Sequence, residues 1–514
     1  MTSVASDAGL GRTALLRLTG VVTLSGAIFM AFEILSSRIL SPHFGNSVYV
    51  WGSIISIFLA ALSIGYAWGG HLADRQPRIE VLGRLLTFAG VFQVLLLLWG
   101  VRLAGVFADW TGGHPAGTLL AATVLFGPVS VLFGTVSPYA VRLASRELHR
   151  VGNTAGRLYA LSTVGSLAGT LVCTFVFIPW LDLHRILALL LALTATTAIL
   201  ALAARYRTEP LALTLAVVLG VLAVVEGAIP KATVQGGLYK RITPYQSLLV
   251  TEVEGIRRLK SDRWTQGAIR VENGEPAIQY PRYASAALLL NPEIENVLIM
   301  GLGTGGVGTH LSNQLPDLEV HYVEIDPAVL GVAKRFFFFE ESPKTRVHLV
   351  DARRFLARSE RTWDFIYCDV YVGNAVPFHL TTVEFIREVK TKLSSRGVFG
   401  FNVASGVESP FTRALYRTIA EEFTLVMPFE VKGAGNELIL ATSQESWIPA
   451  EKLIEIGRSL DERWSFDPTI EQVARQWRPL DLDLLEIPIL TDEHAPVEHL
   501  VLLSSSVPPK RGGT

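Results

Sequence analysis

Long apolar runs occupy the first 230 residues of the chain and end there. Seven of them are long enough to cross a bilayer, which takes about 20 residues. They lie near 15–40, 47–71, 83–107, 117–143, 157–180, 185–204 and 211–229. No short apolar segment with a small-residue cleavage site precedes them, so we expect the first run to be a span and not a removed signal. The pattern predicts a helical transmembrane domain of about seven spans over 1–230.

From residue 231 onward the apolar positions fall into shorter segments. Residues 247–253 have the pattern of a strand, and 267–271 with 277–280 have that of a hairpin around Asn273-Gly274. An Asn-Gly pair between apolar runs is a strong signal for a hairpin turn. We therefore expect a small β domain over 231–282.

Strands and helices alternate after residue 283, beginning with a helix over 283–290. Five short runs are apolar enough to be buried parallel strands: 297–300, 319–323, 346–349, 365–368 and 397–402. Alternation of this kind is typical of a doubly wound α/β domain. The sequence predicts a Rossmann-like, methyltransferase-type domain that binds a nucleoside over 283–514.

Charge divides the chain at the same place. The 514 residues have a net charge of −1, but residues 1–230 contain 14 Arg, no Lys and 9 acids, whereas 231–514 contain 31 Lys and Arg and 37 acids. The second composition is ordinary for a soluble domain, and the first is typical of a membrane domain. This excludes a wholly soluble protein, a disordered chain and a nucleic-acid binder that works through net charge. The lipid bilayer is the expected partner.

Basic residues alternate between the loops of the membrane half. They precede span one and follow spans two, four and six: Arg12, Arg17, Arg75, Arg78, Arg84, Arg142, Arg146, Arg150, Arg157, Arg205 and Arg207. The positive-inside rule then places the N-terminus in the cytoplasm, and seven spans place residues 231–514 outside. Nucleoside chemistry suits the cytoplasm better. The charge pattern and the chemistry agree if one span is re-entrant or miscounted, and span four, with Gly127-Pro128 and Ser137-Pro138, is the candidate. The alternative is that the domain faces outward and the membrane half delivers its ligand.

Cysteine and histidine give no metal motif. Cys173 and Cys368 lie one in each half, so we expect no disulfide between them. His310, His348 and His379 lack the spacing of metal ligands, and we expect them to be structural.

A glycine-rich turn follows the first buried strand directly. The segment 297–308 is a strand that ends in Gly301, Gly303, Gly305 and Gly306 before a helix. Glu324 ends the next strand, 23 residues after Gly301. Glycines at a strand–helix turn let the backbone approach a ligand, and an acid at this distance binds ribose hydroxyls. The motif predicts a nucleoside site, and dinucleotide and adenosylmethionine folds share it.

Two more acids follow strands of the same sheet. Asp351-Ala352 comes after the third strand, where a carboxylate suits an adenine amino group. Asp369 comes after the fourth strand and should face the reacting centre.

From Tyr245-Gln246 to Asn402 the sequence resembles the spermidine synthase family of aminopropyltransferases. With the membrane half it resembles the transmembrane spermidine synthase-like group, which the segments 33–45, 159–169 and 490–498 also fit. The resemblance implies a role in polyamine biosynthesis, S-adenosylmethionine or its decarboxylated form as co-substrate, no metal, and a homodimer.

The resemblance also implies roles for single residues. Gln246 would contact the nucleoside, Tyr283 would be a pocket tyrosine, Glu324 would bind the ribose and Asp351 the adenine. Asp369 would be the catalytic base, and the glycine turn with Thr304 and Ala352 would complete the nucleoside site.

Three positions depart from that family's pattern. Thr304 replaces an Asp that grips the ammonium of decarboxylated adenosylmethionine, which favours the intact form. Val372 replaces a second Asp of the catalytic loop, and 431–435 (Val-Lys-Gly-Ala-Gly) replaces an aromatic polyamine pocket. A diamine needs carboxylates and aromatic faces, so putrescine is disfavoured as acceptor.

Three hypotheses follow. In the first, a membrane-bound enzyme cleaves the sulfonium to methylthioadenosine, with transfer of an aminopropyl-type group to an amine or cyclisation by a lyase reaction. In the second, the same site transfers a methyl group. In the third, the chain is a transporter or sensor with a nucleoside-binding domain.

Overall fold

The computed structural model describes residues 12–45, 47–112, 114–145, 151–202, 210–228, 236–243, 245–262, 264–371, 376–406, 408–444, 448–479 and 487–505. The chain divides into two compact units, 1–232 and 233–514. The boundary lies two residues from the one that composition indicates.

The first unit is entirely helical in its described residues. Its helices are α1 Arg12–Phe44, α2 Val48–Arg75, α3 Ile79–Trp110, α4 Pro115–Gly134, α5 Val136–Ala144, α6 Val151–Val172, α7 Ile178–Trp180, α8 Leu183–Leu202 and α9 Pro210–Ala228. A π-helical turn, Cys173–Phe177, joins α6 to α7.

Six helical segments of the described residues are long and apolar enough to cross a membrane: Thr13–Phe44, Val48–Arg75, Ile79–Trp110, Ala116–Ala144, Val151–Trp180 and Leu183–Leu202. The predicted fourth span is one of them, because α4 and α5 meet at Thr135 without a loop. The predicted seventh span falls on α9, whose apolar run Pro210–Val225 is shorter than the other six.

Small residues bring α1 and α6 into backbone contact. A Cβ atom on Gly165 would lie 2.1 Å from the carbonyl oxygen of Thr23, and one on Gly169 would lie 2.1 Å from that of Ala27. No larger side chain fits at either position. This is the packing that small residues permit between membrane helices, where burial of apolar surface provides little driving force.

The second unit begins with a four-stranded antiparallel sheet in chain order. Its strands are β1 Gly237–Ile242, β2 Ser247–Val253, β3 Ile256–Ser261 and β4 Trp264–Arg270. The expected hairpin of 267–271 with 277–280 is wrong in its second strand. Only an isolated bridge, Ile269 to Pro276, forms there, and a 3-10 helix, Tyr280–Leu289, follows. A tight turn at Glu254-Gly255, with φ of 52° and 71°, instead joins β2 to β3.

The larger part of this unit alternates strands and helices. These are β5 Asn296–Met300, α10 Gly306–Ser312, β6 Glu319–Glu324, α11 Pro327–Phe336, β7 Thr345–Leu349, α12 Ala352–Arg358, β8 Trp363–Cys368, α13 Val383–Thr391, β9 Leu393–Val403, α14 Pro410–Ala420, β10 Leu425–Val431, β11 Asn436–Thr442, α15 Ala450–Asp461, α16 Ile470–Ala474 and α17 Val497–Ser505. The five predicted parallel strands are all present, as β5 to β9.

The seven strands pair in the order β10-β11-β9-β8-β5-β6-β7, with β11 antiparallel to both of its neighbours. The fold is the predicted Rossmann-like sheet with a small antiparallel sheet before it. The strand order reverses between β5 and β8. In open α/β sheets a crevice forms at such a reversal, beyond the carboxyl ends of the strands.

The large sheet is buried on both faces. Val297 and Ile299 of β5 face one apolar cluster, and Leu298 and Met300 face the other. The small sheet contributes Leu248, Val250 and Leu259 to the first of these clusters. The two sheets of this unit therefore share one core, which holds the small sheet beside the crevice.

Candidate active site

A cleft lies beyond the carboxyl ends of β5 to β8. It encloses about 920 Å³ of space, open solvent at its mouth included. Seven residues that the sequence singled out line it: Gln246, Gly301, Gly303, Glu324, Asp351, Ala352 and Asp369.

The glycine turn joins two walls of the cleft. Gly301 has φ of +94°, and a Cβ atom there would lie 2.2 Å from the carbonyl oxygen of Asp369. The amide of Asp369 donates to the carbonyl of Met300 at 2.9 Å. A residue with a side chain at position 301 would push the Asp369 loop away. Only glycine allows the first and fourth strands to bring their loops together here.

The rest of the turn shapes the loop without lining the cleft. Gly305, with φ of +80°, precedes α10, and a Cβ atom on it would lie 2.6 Å from the ring of Phe339. Gly306 begins α10. Thr304 is buried against Gly267 of β4, where a Cβ atom would lie 2.5 Å from the threonine methyl carbon. The side chain of Thr304 therefore packs between the sheets.

Glu324 ends β6 with its carboxylate held by two backbone amides. Oε2 accepts from the amide of Leu302 at 3.1 Å, and Oε1 accepts from that of Asp326 at 2.8 Å. Burial raises the pKa of Glu324 to about 7, and these amides oppose the rise. Each oxygen keeps a lone pair, so the carboxylate can still accept two ribose hydroxyls.

Gln246 is held at the cleft by the turn between β1 and β2. The hydroxyl oxygen of Thr243 accepts from the amide of Gln246 at 3.0 Å, and the same hydroxyl donates to the carboxylate of Asp326 at 2.7 Å. This contact ties the small sheet to the end of β6, two residues beyond Glu324.

Asp351 is the N-cap of α12. Its Oδ1 accepts from the amide of Arg354 at 2.9 Å, and its Oδ2 lies 3.0 Å from Nε2 of His379. His379 itself lines the cleft. The sequence did not predict this position, because His379 lies between β8 and α13, where no strand or helix pattern indicates which way a side chain points.

Asp369 follows β8 and is the centre of a polar network. Its Oδ1 accepts from the side-chain nitrogen of Asn402 at 2.7 Å, and Oδ1 of Asn402 accepts from the side chain of Asn436 at 3.0 Å. Burial raises the pKa of Asp369 to about 6, and hydrogen bonds from Asn402 and Tyr280 oppose the rise. A carboxylate with this pKa can hold or release a proton near neutral pH.

Tyr280, which the sequence did not single out, lies beside Asp369, and the role of pocket tyrosine that the resemblance implies for Tyr283 stays a prediction. The hydroxyl of Tyr280 donates to the carbonyl of Gln266 at 2.7 Å and interacts with the Asp369 carboxylate. Tyr283 is in the apolar core, and its hydroxyl oxygen accepts from the amide of Lys432 at 3.3 Å. Both tyrosines belong to the 3-10 helix Tyr280–Leu289 and lie one turn apart, and neither is among the described residues that line the cleft.

The other two departures from the family's pattern are Val372 and the segment 431–435. Val372 lies outside the described residues. The segment 431–435 forms the turn between β10 and β11, with Gly433 and Gly435 at positive φ.

The described lining of the cleft is acidic. It contains Glu324, Asp351 and Asp369, one histidine, and neither Lys nor Arg. Among the described residues no three His, Cys, Asp or Glu side chains come together as a metal site. An acidic cleft of this kind favours a cationic ligand.

Fold and site together define a Rossmann-like domain with an acidic cleft, joined to a helical domain with six candidate membrane spans among its described residues. Residues 283–430 match the spermine/spermidine synthase domain. A polyamine aminopropyltransferase of Vibrio vulnificus is 35% identical over 215 residues, which are 40% of this chain and 71% of that protein. The chain belongs to the spermine/spermidine synthase family.

Two further relatives extend the comparison. A polyamine aminopropyltransferase of Oceanobacillus iheyensis is 23% identical over 511 residues, 93% of this chain and 89% of that protein, so the similarity includes the membrane half. An eEF1A lysine and N-terminal methyltransferase of Bos taurus is 28% identical over 211 residues, 38% of this chain but 29% of that protein.

Proposed function

We propose that this chain is a membrane-bound aminopropyltransferase that takes the sulfonium of an adenosylmethionine-type donor to methylthioadenosine. The observation that carries the proposal is the half-buried carboxylate of Asp369, which lies in one cleft with Glu324 and Asp351. Glu324 would bind the ribose, Asp351 the purine amino group, and Asp369 the reacting end of the ligand.

The reaction would be a displacement at carbon. The amine nitrogen of the acceptor forms a bond to the methylene carbon next to sulfur, and the carbon–sulfur bond breaks. Its electron pair stays on sulfur, which becomes a neutral thioether, and the proton lost by the amine goes to Asp369. Most of the rate would come from positioning and from the carboxylate next to the ammonium that develops.

The charge of the cleft favours the decarboxylated donor. That donor is a dication, whereas intact adenosylmethionine also carries a carboxylate, for which the described lining has no Lys or Arg. Thr304 alone favoured the intact form, but its side chain packs against Gly267 and gives no reason to prefer either.

The acceptor in this reaction would be an amine, and a diamine such as putrescine is disfavoured. Lys432 lies in the turn where the resemblance puts an aromatic polyamine pocket, and a cation there disfavours a second ammonium on the acceptor. Cyclisation of an intact donor, as in a lyase, would need no acceptor at all.

Product analysis tests the proposal. The full chain in detergent is incubated with adenosylmethionine or its decarboxylated form, with and without putrescine or a monoamine, and the nucleoside product is identified. Methylthioadenosine formed only with an amine present supports the transferase, and methylthioadenosine formed without one supports the lyase. If neither donor is turned over, the proposal is wrong.

Methyl transfer is the second candidate, because the methyltransferase of Bos taurus matches 38% of the chain. It leaves adenosylhomocysteine instead of methylthioadenosine, so the same assay separates the two reactions.

We also propose that the nucleoside-binding unit faces the cytoplasm. Six crossings return the chain to the side of its N-terminus, which the loop arginines assign to the cytoplasm. The support is the shorter apolar run of α9, Pro210–Val225, against the six longer ones. Reporter fusions after residue 235 test it: a reporter active only outside the cytoplasm should be silent there, and an active one would mean that α9 crosses.

A further inference from the structure

The segment after residue 487 is fixed to helices α13 and α14. The amide of Leu490 donates to the hydroxyl of Thr418 at 2.9 Å, and its carbonyl accepts from the amide of Val383 at 2.8 Å. Leu490 is fully buried. Thr491 and His494 exchange backbone hydrogen bonds of 3.1 and 3.0 Å, which close a tight turn. This turn belongs to the segment 490–498, which the sequence analysis singled out and which has no role in the proposed reaction.

The turn presents Asp492 to Arg353. The guanidinium donates to Oδ1 at 2.7 Å and to Oδ2 at 2.8 Å, a two-pronged contact that fixes orientation as well as distance. Thr382 donates to Oδ1 of Asp492 at 2.7 Å, and Glu384 accepts from its amide at 2.9 Å. The Arg353 side chain is 20% exposed and that of Asp492 is 41% exposed, so the two-pronged geometry, and not burial, distinguishes this pair from an ordinary surface pair.

Arg353 connects this turn to the wall of the cleft. The nitrogen that binds Oδ1 of Asp492 also donates to the carbonyl oxygen of His379 at 3.2 Å. The imidazole of His379 lies 3.0 Å from Oδ2 of Asp351. Arg353 is also the second residue of α12, the helix that Asp351 caps. One guanidinium therefore restrains the histidine and the helix that together orient the Asp351 carboxylate.

We infer that Asp492 is a positioning residue for recognition of the purine: through Arg353 it holds His379 and Asp351 so that the cleft selects a 6-amino group over a 6-oxo group. The inference rests on the proposed function, in which Asp351 meets the purine edge. An amino group donates to the carboxylate, whereas an oxo group would place oxygen against oxygen. That discrimination depends on a carboxylate that cannot turn away from the oxo group.

The test measures selectivity and not only affinity. Dissociation constants of 5′-methylthioadenosine and 5′-methylthioinosine are measured by calorimetry on the full chain in detergent. The variants are Asp492→Asn, Asp492→Glu and, as a control, Glu293→Gln, which breaks the exposed pair of Glu293 with Arg396. We expect Asp492→Asn to reduce the preference for the amino nucleoside by about tenfold. Most of this change should be a lower dissociation constant for the oxo nucleoside. Asp492→Glu, which keeps the charge, should restore most of the preference, and Glu293→Gln should keep all of it.

A second variant distinguishes a loss of selectivity from general damage to the fold. Arg353→Lys keeps the positive charge, but a single ammonium cannot reproduce the fork, and we expect the same loss of preference. Equal weakening of both nucleosides in Asp492→Asn and Arg353→Lys, with the preference unchanged, would overturn the inference and leave a purely structural role. Failure of the wild-type chain to bind either nucleoside would instead overturn the proposed function, and the inference with it.

Discussion

Asn402 donates a 2.7 Å hydrogen bond to the carboxylate of Asp369, and so stabilises the charged form of an acid that burial disfavours. Asp369 follows β8 and Asn402 lies near the carboxyl end of the neighbouring strand β9, and their contact depends on the parallel pairing of those strands. The balance between burial and hydrogen bonding leaves the pKa of Asp369 at about 6.

This balance predicts the pH dependence of the reaction. Asp369 accepts a proton only when it is ionised, so kcat/KM of the wild type should fall as the pH falls through about 6, below a first decrease near pH 7 where Glu324 takes up a proton. In Asn402→Ala the charged form loses a donor, the pKa of Asp369 rises, and the acid limb should move upward by about one pH unit. Both profiles are measured under one set of buffers. A limb that stays in place in Asn402→Ala would contradict the role of Asn402.

Replacement of the acid itself separates chemistry from binding. In Asp369→Asn we expect kcat to fall by about 10²–10⁴-fold, because no other group in the network can take the proton. The dissociation constant of methylthioadenosine, which lacks the reacting group, should change little. Asp317→Asn is the matched control, since Asp317 is an exposed aspartate paired with Lys344. Unchanged turnover in Asp369→Asn would remove Asp369 from the mechanism.

Glu324 should control affinity for the nucleoside. In Glu324→Gln one amide that now donates to a carboxylate oxygen meets an NH₂ group, and one acceptor for the ribose is lost. We expect binding of methylthioadenosine to weaken at least tenfold, since hydrogen bonds to charged groups contribute about 1.5–3 kcal/mol. Calorimetry measures it, with thermal unfolding as a check on folding. Glu341→Gln, at an exposed glutamate, should bind like the wild type.

Two tyrosines one turn apart give a matched pair. Tyr280→Phe removes the hydroxyl that interacts with Asp369, so kcat should fall and the acid limb of kcat/KM should rise in pH. Tyr283→Phe removes a hydroxyl that meets only the amide of Lys432 among the described contacts, and we expect nearly wild-type kinetics. The opposite order of effects would support Tyr283, and not Tyr280, as the tyrosine that acts in the reaction.

The sequence predicted the parts of the site that follow directly from strands. Glu324, Asp351 and Asp369 each come after a buried apolar run, and parallel strands bring their carboxyl ends to one edge of the sheet. Five of the seven strands of that sheet were predictable for the same reason. β10 was not, because Pro428 interrupts its apolar run, and a proline within a strand is tolerated at a sheet edge, which is where β10 lies.

Contacts made across long sequence separations were not predictable. Asn402 meets Asp369 across 33 residues, and His379 meets Asp351 across 28. Nothing in the local pattern distinguishes these side chains from others at strand ends and in loops. Which of Tyr280 and Tyr283 lies beside Asp369 depends on where a 3-10 helix begins, and apolar spacing in the sequence does not determine that.

The contact between Thr304 and Gly267 limits how sequences of this kind can diverge. Because a Cβ atom at position 267 would lie 2.5 Å from the threonine methyl carbon, the two positions share a single side-chain volume. Lineages that carry alanine or serine at 267 should therefore carry glycine or another residue without a branched Cβ at 304, and the two changes should be inherited together. A larger residue at position 267 alone would push the small sheet away from the glycine turn. The two walls of the cleft, which carry Gln246 and Gly301, would then move apart.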